Sequence, residues 1–306
     1  MIVDCHTHIW QTESQLERAY EVRGDLAAMM APLGGPKGLM APPGPNQHFA
    51  ASDPVDRSIV LGFKSRYLGA EIPNELVADY VRKHPTKLIG FAGIDPVMPD
   101  EATEDMRAAQ SRLGLRGVTM SPAGQDFHPT DSRAMKVFAE AARLKMPVLI
   151  HPGSYFSTAS KLEYARPVLL DEVAREFPGL KIIVAHIGYP WIDECIVLLG
   201  KHPNVYASIS GLLHRPWQAF NALLSTYQYG VMDKLLFGSD FPFKSAAAAI
   251  EALYSINQFT LGTSLPTIPR QQLRGIVERD ALALLGLEPP SPARRSSREL
   301  LSDDDL

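Results

Sequence analysis

Residues 131–151 read DSRAMKVFAEAARLKMPVLIH. Two periods meet in this stretch. Ala134, Val137, Phe138 and Ala141 recur at the three- and four-residue spacing of an amphipathic helix, and MPVLIH then follows as a short apolar run. An apolar run of that length suits a strand buried on both faces, as in a parallel sheet. The same unit recurs along the chain. Strands are expected in MIVDCHTHI (1–9), RSIVLGF (57–63), KLIGFAGI (87–94), LRGVTM (115–120), MPVLIH (146–151), KIIVAH (181–186), NVYASIS (204–210) and DKLLFGSD (233–240). Amphipathic helical patterns separate most of them, including PNELVADYVRKH, EATEDMRAAQSRL and ARPVLLDEVAREF, with proline and glycine at the joins. Strand–helix alternation implies parallel strands covered by helices. Eight such units in roughly 250 residues match a closed α/β (β/α)8 TIM barrel. An open doubly wound sheet is the alternative, but no glycine-rich fingerprint follows the first strand.

Composition sets the outer limits. At 306 residues the chain can bury roughly three quarters of its surface. A net charge of −4 leaves no basic footprint for nucleic acid or for an anionic membrane. No apolar stretch approaches the roughly 18 residues of a membrane span, and the N-terminus lacks the pattern of a signal peptide. The two cysteines, Cys5 and Cys195, form no spacing motif, and a reducing, cytoplasmic location is the expectation. The partner expected is a small-molecule substrate. Oligomeric state stays open, a homodimer being one compatible assembly.

Residues 1–288 are expected to form the barrel domain. Within it, residues 10–56 make a long connection after the first strand: ESQLERAYEVRGDLAAMM has a helical pattern, and APLGGPKGLMAPPGPN is too rich in proline and glycine to continue it. Such a connection suits a lid over the barrel mouth. Residues 289–306, PPSPARRSSRELLSDDDL, are polar and are expected to be a disordered tail.

The strand ends carry the chemistry. The first strand holds Asp4, His6 and His8, which a regular strand places on one face, with Val3, Cys5 and Thr7 on the other. Taken alone, His-x-His could be a hydrogen-bonded pair. But the later strands end in His151, His186 and Asp240, and in a parallel barrel all these positions meet at the catalytic face. Buried polar groups converging there need a partner, and a metal ion is one. The remaining histidines lie in loops or at helix ends; His48 and His214 are placed to border the site.

These motifs, DCHTH, LIHPG, VAHIGYP and LFGSDFPF, together with NVYASISG and ERDALALLGL, closely resemble the amidohydrolase superfamily. The branch indicated is the amidohydrolase-related group, which includes aminocarboxymuconate-semialdehyde decarboxylase and metal-dependent TIM-barrel hydrolases; the likeness covers about residues 1–287. It implies that His6, His8, His151 and Asp240 hold one divalent metal, zinc first, with manganese or iron as alternatives. His186 would then stand beside the reactive water rather than on the metal, and Asp4 would orient the ligands from behind. Asp240 and His186 are the catalytic pair so implied. Thr119 stands where binuclear members carry a bridging lysine, which favours one metal over two. Asp280 replaces an asparagine expected in the last helix, a structural position.

Such a site can hydrolyse a lactone, an amide or a similar C–O or C–N bond, with Asp240 taking a proton and His186 supporting the developing oxyanion. It can also decarboxylate a small unsaturated or aromatic acid without oxidation, where an arginine would hold a carboxylate; Arg18, Arg23, Arg57 and Arg66 are the candidates near the first connections. Hydrolysis is placed first and decarboxylation second. A nuclease is disfavoured by charge, and a purely structural metal by the solvent-side His186. Trp10, Tyr155, Tyr189, Trp191 and Phe241 are expected to wall the substrate pocket, with Phe156 beside them.

Overall fold

The computed structural model of the chain describes residues 1–16, 43–152 and 157–288. Eight strands form one parallel sheet: β1 (Val3–His8), β2 (Arg57–Leu61), β5 (Leu88–Gly93), β6 (Gly117–Met120), β7 (Val148–Ile150), β8 (Ile182–Val184), β9 (Val205–Ser208) and β10 (Leu235–Leu236), in that spatial order. A short antiparallel hairpin, β3 (Phe63–Ser65) and β4 (Ala70–Ile72), follows β2. The sheet closes on itself. Cys5 donates its amide to the Phe237 carbonyl at 2.9 Å, Asp240 donates to the His6 carbonyl at 3.0 Å, and His8 donates to the Phe241 carbonyl at 2.9 Å. This is the expected TIM barrel, with helices such as Asn74–Lys83, Pro99–Ser111, Ser132–Leu144 and Ile192–Lys201 between strands. Among the described residues no helix is long and apolar enough to cross a membrane.

The core divides into two layers. Val60, Val118, Val148, Val184, Ala207 and Leu235 pack outward under the helices. Val3, Cys5, Ile59, Leu61, Phe91, Leu149 and Ile183 fill the lumen. Leu282 and Leu285, in and just after the last helix (Ala281–Leu284), join the lumen cluster beside Met1, so that helix plugs the barrel at the N-terminal ends of the strands. Asp280 caps it, its side chain accepting from the Ala283 amide at 3.2 Å, a bond an asparagine would make equally well.

Three expectations need correction. First, β1 is not regular. Its pairing with β2 runs Asp4↔Ser58 and then Thr7↔Val60, so one extra residue is accommodated between them. The irregularity breaks the simple alternation: Val3 and Cys5 lie in the lumen cluster with Ile59 and Leu61, yet His6 and His8 also face the lumen at the upper end, while Asp4 does not share their surroundings. Second, ARPVLLDEVAREF is not one helix. It forms a 3-10 turn, Pro167–Leu170, that runs directly into a short helix, Asp171–Glu176. Third, the proline-rich half of the first connection contains a helix, Pro45–Ala51, with proline at its first turn, where the missing amide costs nothing. The rest of the expected lid, residues 17–42, lies outside the described residues, as do Tyr155, Phe156 and the expected tail.

Candidate metal centre

The C-terminal ends of β1, β7, β8 and β10 bring His6, His8, His151, His186 and Asp240 together. His6 Nε2 lies 3.1 Å from His8 Nε2, 3.0 Å from His151 Nε2 and 3.4 Å from Asp240 Oδ1. Two overlapping donor sets result, one of His6, His8 and Asp240, the other of His6, His151 and His186; within each set the donor atoms lie within 4.8 Å of one another.

The protonation chemistry of this cluster suits a cation. Burial, reinforced by neighbouring imidazoles, pushes the pKa of His6 and His151 well below the usual histidine range, and burial with His186 and His48 pushes His8 down to about 3. The imidazoles are therefore neutral at pH 7, and the His6–Asp240 contact is not an ion pair between two charges. A neutral imidazole carries a single N–H, yet His6 Nε2 faces two other Nε2 atoms and a carboxylate oxygen. At most one of those approaches is a hydrogen bond from His6, so its single N–H cannot satisfy all three. A divalent ion, which binds neutral imidazole and carboxylate, resolves that conflict.

Backbone conformation places the late donors. His186 has φ 55°, the following Ile187 φ 47°, and Asp240 φ 62°. Left-handed backbone is unfavourable for these residues, and for a β-branched one such as Ile187 it is an outlier; such strain concentrates at functional sites. Gly211, with φ 67°, closes the arrangement: a Cβ there would stand 2.7 Å from His186 Nδ1 and 3.0 Å from Asp240 Oδ2.

A serine pair that the sequence reading missed supports the imidazoles. His186 Nδ1 lies 2.8 Å from the Ser210 carbonyl and 3.1 Å from the Ser210 hydroxyl. A carbonyl only accepts, so Nδ1 carries the hydrogen and the Nε2 lone pair is directed at the cluster. The Ser210 hydroxyl meets the Ser208 hydroxyl at 2.8 Å, and Ser208 reaches His6 Nδ1 at 3.4 Å. The alternation of serine in YASISG was the available signal: Ser208 and Ser210 share one face of β9 and its extension. Ser210→Ala is expected to lower kcat by roughly tenfold, the lower end for an outer partner of a ligand or catalytic histidine, with the main-chain bond to His186 retaining the rest. Steady-state kinetics beside metal analysis checks it.

Asp4 reaches the main chain beside the donors. It accepts from the amides of Ser239 at 2.9 Å and His6 at 3.2 Å, not from an imidazole. It therefore ties β1 to the segment that carries Asp240. Burial raises its pKa to about 6, against the opposing hydrogen bonds from Ser239 and His6.

The other candidate residues separate. Phe241 is buried, its ring 5.2 Å from that of His48. Trp10 is 2% exposed and belongs to the main core, while Tyr189 and Trp191 are partly exposed beyond His186. Arg57 pairs with Glu288 at 2.5 Å and Arg66 pairs with Glu101, so neither is a free carboxylate anchor; Arg18 and Arg23 lie outside the described residues. His48, buried in the helix Pro45–Ala51, bonds Tyr80 Oη through Nδ1 at 2.8 Å, and its Nε2 has no hydrogen-bond partner. Burial, with Lys87 nearby, lowers its pKa to about 4. As pH falls, the unfolded chain takes up this proton near 6.5, before the folded chain does. The stability His48 contributes above pH 6.5 is therefore lost as pH drops toward 4. His48→Phe is expected to reduce the loss of unfolding free energy between pH 7 and 4.5 by roughly 2–3 kcal/mol, as read by urea denaturation of the two proteins at both pH values.

Comparison with known proteins identifies the family of the chain. A family model described as amidohydrolase matches residues 3–287. A gamma-resorcylate decarboxylase from Rhodococcus jostii is 25% identical over 143 residues, which are 38% of this chain and 44% of that protein. A 2-amino-3-carboxymuconate-6-semialdehyde decarboxylase from Dictyostelium discoideum is 22% identical over 253 residues, 72% of this chain and 67% of that protein. The chain thus spans less than half the length of the first of these relatives and about two thirds of the second. The crystal structure of a dihydroxybenzoic acid decarboxylase from Polaromonas sp. JS666, with manganese and 2-nitroresorcinol bound, superposes with a TM-score of 0.61 at 16% identity, covering 94% of this chain and 97% of that one.

Proposed function

This chain belongs to the amidohydrolase family, and from that premise we propose that it is a metal-dependent carboxy-lyase, removing CO2 without oxidation from a small unsaturated or aromatic carboxylic acid. One observation carries the choice: both curated relatives reported above are decarboxylases. The sequence alone had favoured hydrolysis, since the donor set serves either reaction; the relatives reverse that order.

His6, His8, His151 and Asp240 are the residues proposed to hold the ion, and when bound it supplies positive charge that draws electron density from a substrate oxygen. Manganese is the first ion to test, because the Polaromonas enzyme holds it; zinc is the second. The other steps belong to the chain itself. His186, held by Ser210 through Nδ1, presents its Nε2 lone pair to a substrate hydroxyl and orients the acid. Asp240 serves as the proton carrier. Standing at the rim within 3.4 Å of His6 Nε2, it gives a proton to the carbon that bears the carboxylate. The C–C bond then breaks, its electron pair restores the π system that the proton had left cationic, and CO2 departs. Asp240 regains its proton from solvent. The packed lumen of Cys5, Ile59, Leu61 and Phe91 closes the site from below and keeps water out.

The test uses protein loaded with manganese and a panel of unsaturated and aromatic acids labelled with 13C at the carboxylate. The expected result is labelled CO2 and a product lighter by that mass, abolished by a chelator and restored by the ion. A product heavier by one water, with no labelled CO2, would sink the decarboxylase reading and return hydrolysis to first place.

A further inference from the structure

The N-terminal rim of the barrel, opposite the metal cluster, is edged with cations. Arg57 opens β2. Lys87, Arg116, Lys181 and Lys234 stand immediately before β5, β6, β8 and β10, and Lys145 stands three residues before β7. Part of this ring is engaged. Arg57 pairs with Glu288, Lys87 donates to the Ser52 and Val55 carbonyls, and Lys234 donates to the Pro203 carbonyl at 2.9 Å. The arc across β6, β7 and β8 differs. Arg116 donates to the Leu287 carbonyl, and Lys181 Nζ stands 5.8 Å from the Tyr206 ring centroid. Among the described residues Arg116, Lys145 and Lys181 have no carboxylate partner, and Arg116 and Lys145 are exposed. An open crevice of about 330 Å³ lies here, walled by Leu115, Arg116, Lys145 and Leu287 among others. The described chain leaves the fold at Glu288, one residue past that wall. Three consecutive acids, Asp303, Asp304 and Asp305, begin fifteen residues further on, outside the described residues.

We propose that the acidic run 303–305 folds back into this crevice and neutralises Arg116, Lys145 and Lys181, latching the C-terminal segment across the base of the barrel. Reach allows it. A flexible tether of fifteen residues has a root-mean-square span of roughly 20 Å, which holds the acids near the arc at high effective concentration. Single exposed ion pairs are weak, but three carboxylates on one tether meet three adjacent cations together. Charge selects the acids over the rest of the segment: Arg294, Arg295 and Arg298 precede them and are repelled by the arc. Helices such as Pro99–Ser111 and Ser132–Leu144 end at this rim, and their carbonyl ends favour cations there; the exposed faces of Arg116 and Lys145 stay open to a carboxylate. Because Arg116 also holds the Leu287 carbonyl, the latch closes over the helix Ala281–Leu284 that plugs the barrel. It is independent of the reaction at the opposite rim.

The test uses the full chain mixed with an equal amount of 15N-labelled chain. The mixture is coupled with a carbodiimide in about 20 mM and in about 0.5 M salt, where the screening length falls from about 20 Å to about 4 Å, and is digested for mass spectrometry. The expected result is amide cross-links from Asp303, Asp304 or Asp305 to Lys145 and Lys181 within one chain. They should exceed those to Lys161 and Lys244, in the loops of the opposite rim, by at least about fivefold at low salt and lose that excess at high salt. Lys181→Gln should lower cross-linking to Lys145 by at least about twofold, since one of three charges is gone. As an independent readout, Asp303→Asn/Asp304→Asn/Asp305→Asn should melt about 2 °C below wild type at low salt and level with it at high salt. No excess at Lys145 and Lys181, cross-links only between labelled and unlabelled chains, or equal melting at low salt would overturn the latch.

Discussion

Asp240→Asn is expected to stop CO2 release, with kcat down by roughly 10⁴-fold, the upper end of what a positioned acid contributes, and with metal content reduced. Two roles meet in this residue. Its Oδ1 is 3.4 Å from His6 Nε2 and belongs to a donor set with His6 and His8. It is also the carboxyl proposed to carry the proton. Asparagine keeps the shape and one oxygen but loses both the charge and the titrating group. Elemental analysis beside single-turnover kinetics separates the losses. Full metal content with no turnover would assign Asp240 to proton transfer alone. Turnover within tenfold of wild type would remove it from the chemistry. A neighbour in the fold bounds the choice of variant: Gly211 packs near Asp240 Oδ2, so a larger side chain at 240 would collide with that loop and confuse a chemical loss with a structural one.

His186→Asn is expected to lower kcat by roughly 10²–10³, the usual range for one preorganised polar contact to a reacting group, while metal content stays near wild type. The geometry makes this a sharp test, because His186 shares a donor set with His6 and His151. If metal is lost with the imidazole, His186 is a ligand and Asp240 has a different neighbour than proposed. If metal stays and KM rises with kcat unchanged, the residue binds substrate in the ground state; a fall in kcat and kcat/KM by the same factor assigns it to the transition state. The left-handed backbone at His186 and Ile187 argues for asparagine over alanine here, since asparagine tolerates that conformation better.

The eight strands and the ends that carry His6, His8, His151, His186 and Asp240 were legible because each is a local signal. A short apolar run shows itself without its neighbours, and a polar residue at its end stands out against it. Parallel closure then forces those ends to one rim, whatever the details of packing. Asp280 was legible as a structural position, while its capping bond to the Ala283 amide came with the fold.

What the tertiary structure alone decided depends on pairs of distant segments. Alternation along β1 holds only where its ladder with β2 is regular, and one extra residue between Asp4 and Thr7 turns Asp4 from a companion of the histidines into an acceptor for Ser239, 235 residues away. The Ser208–Ser210 link to His6 and His186 exists because β9 stands beside β10, which closes on β1. Arg57 and Arg215 look alike in sequence, both next to short apolar elements. One is neutralised by Glu288 and the other rests on Tyr189 with no carboxylate among the described residues, and only the fold brings those partners into reach. The sequence by itself thus determined which residue types line the rim. The barrel's closure and register determined which of them touch, because a side chain's partner is set by the neighbouring strand and not by its place in the chain.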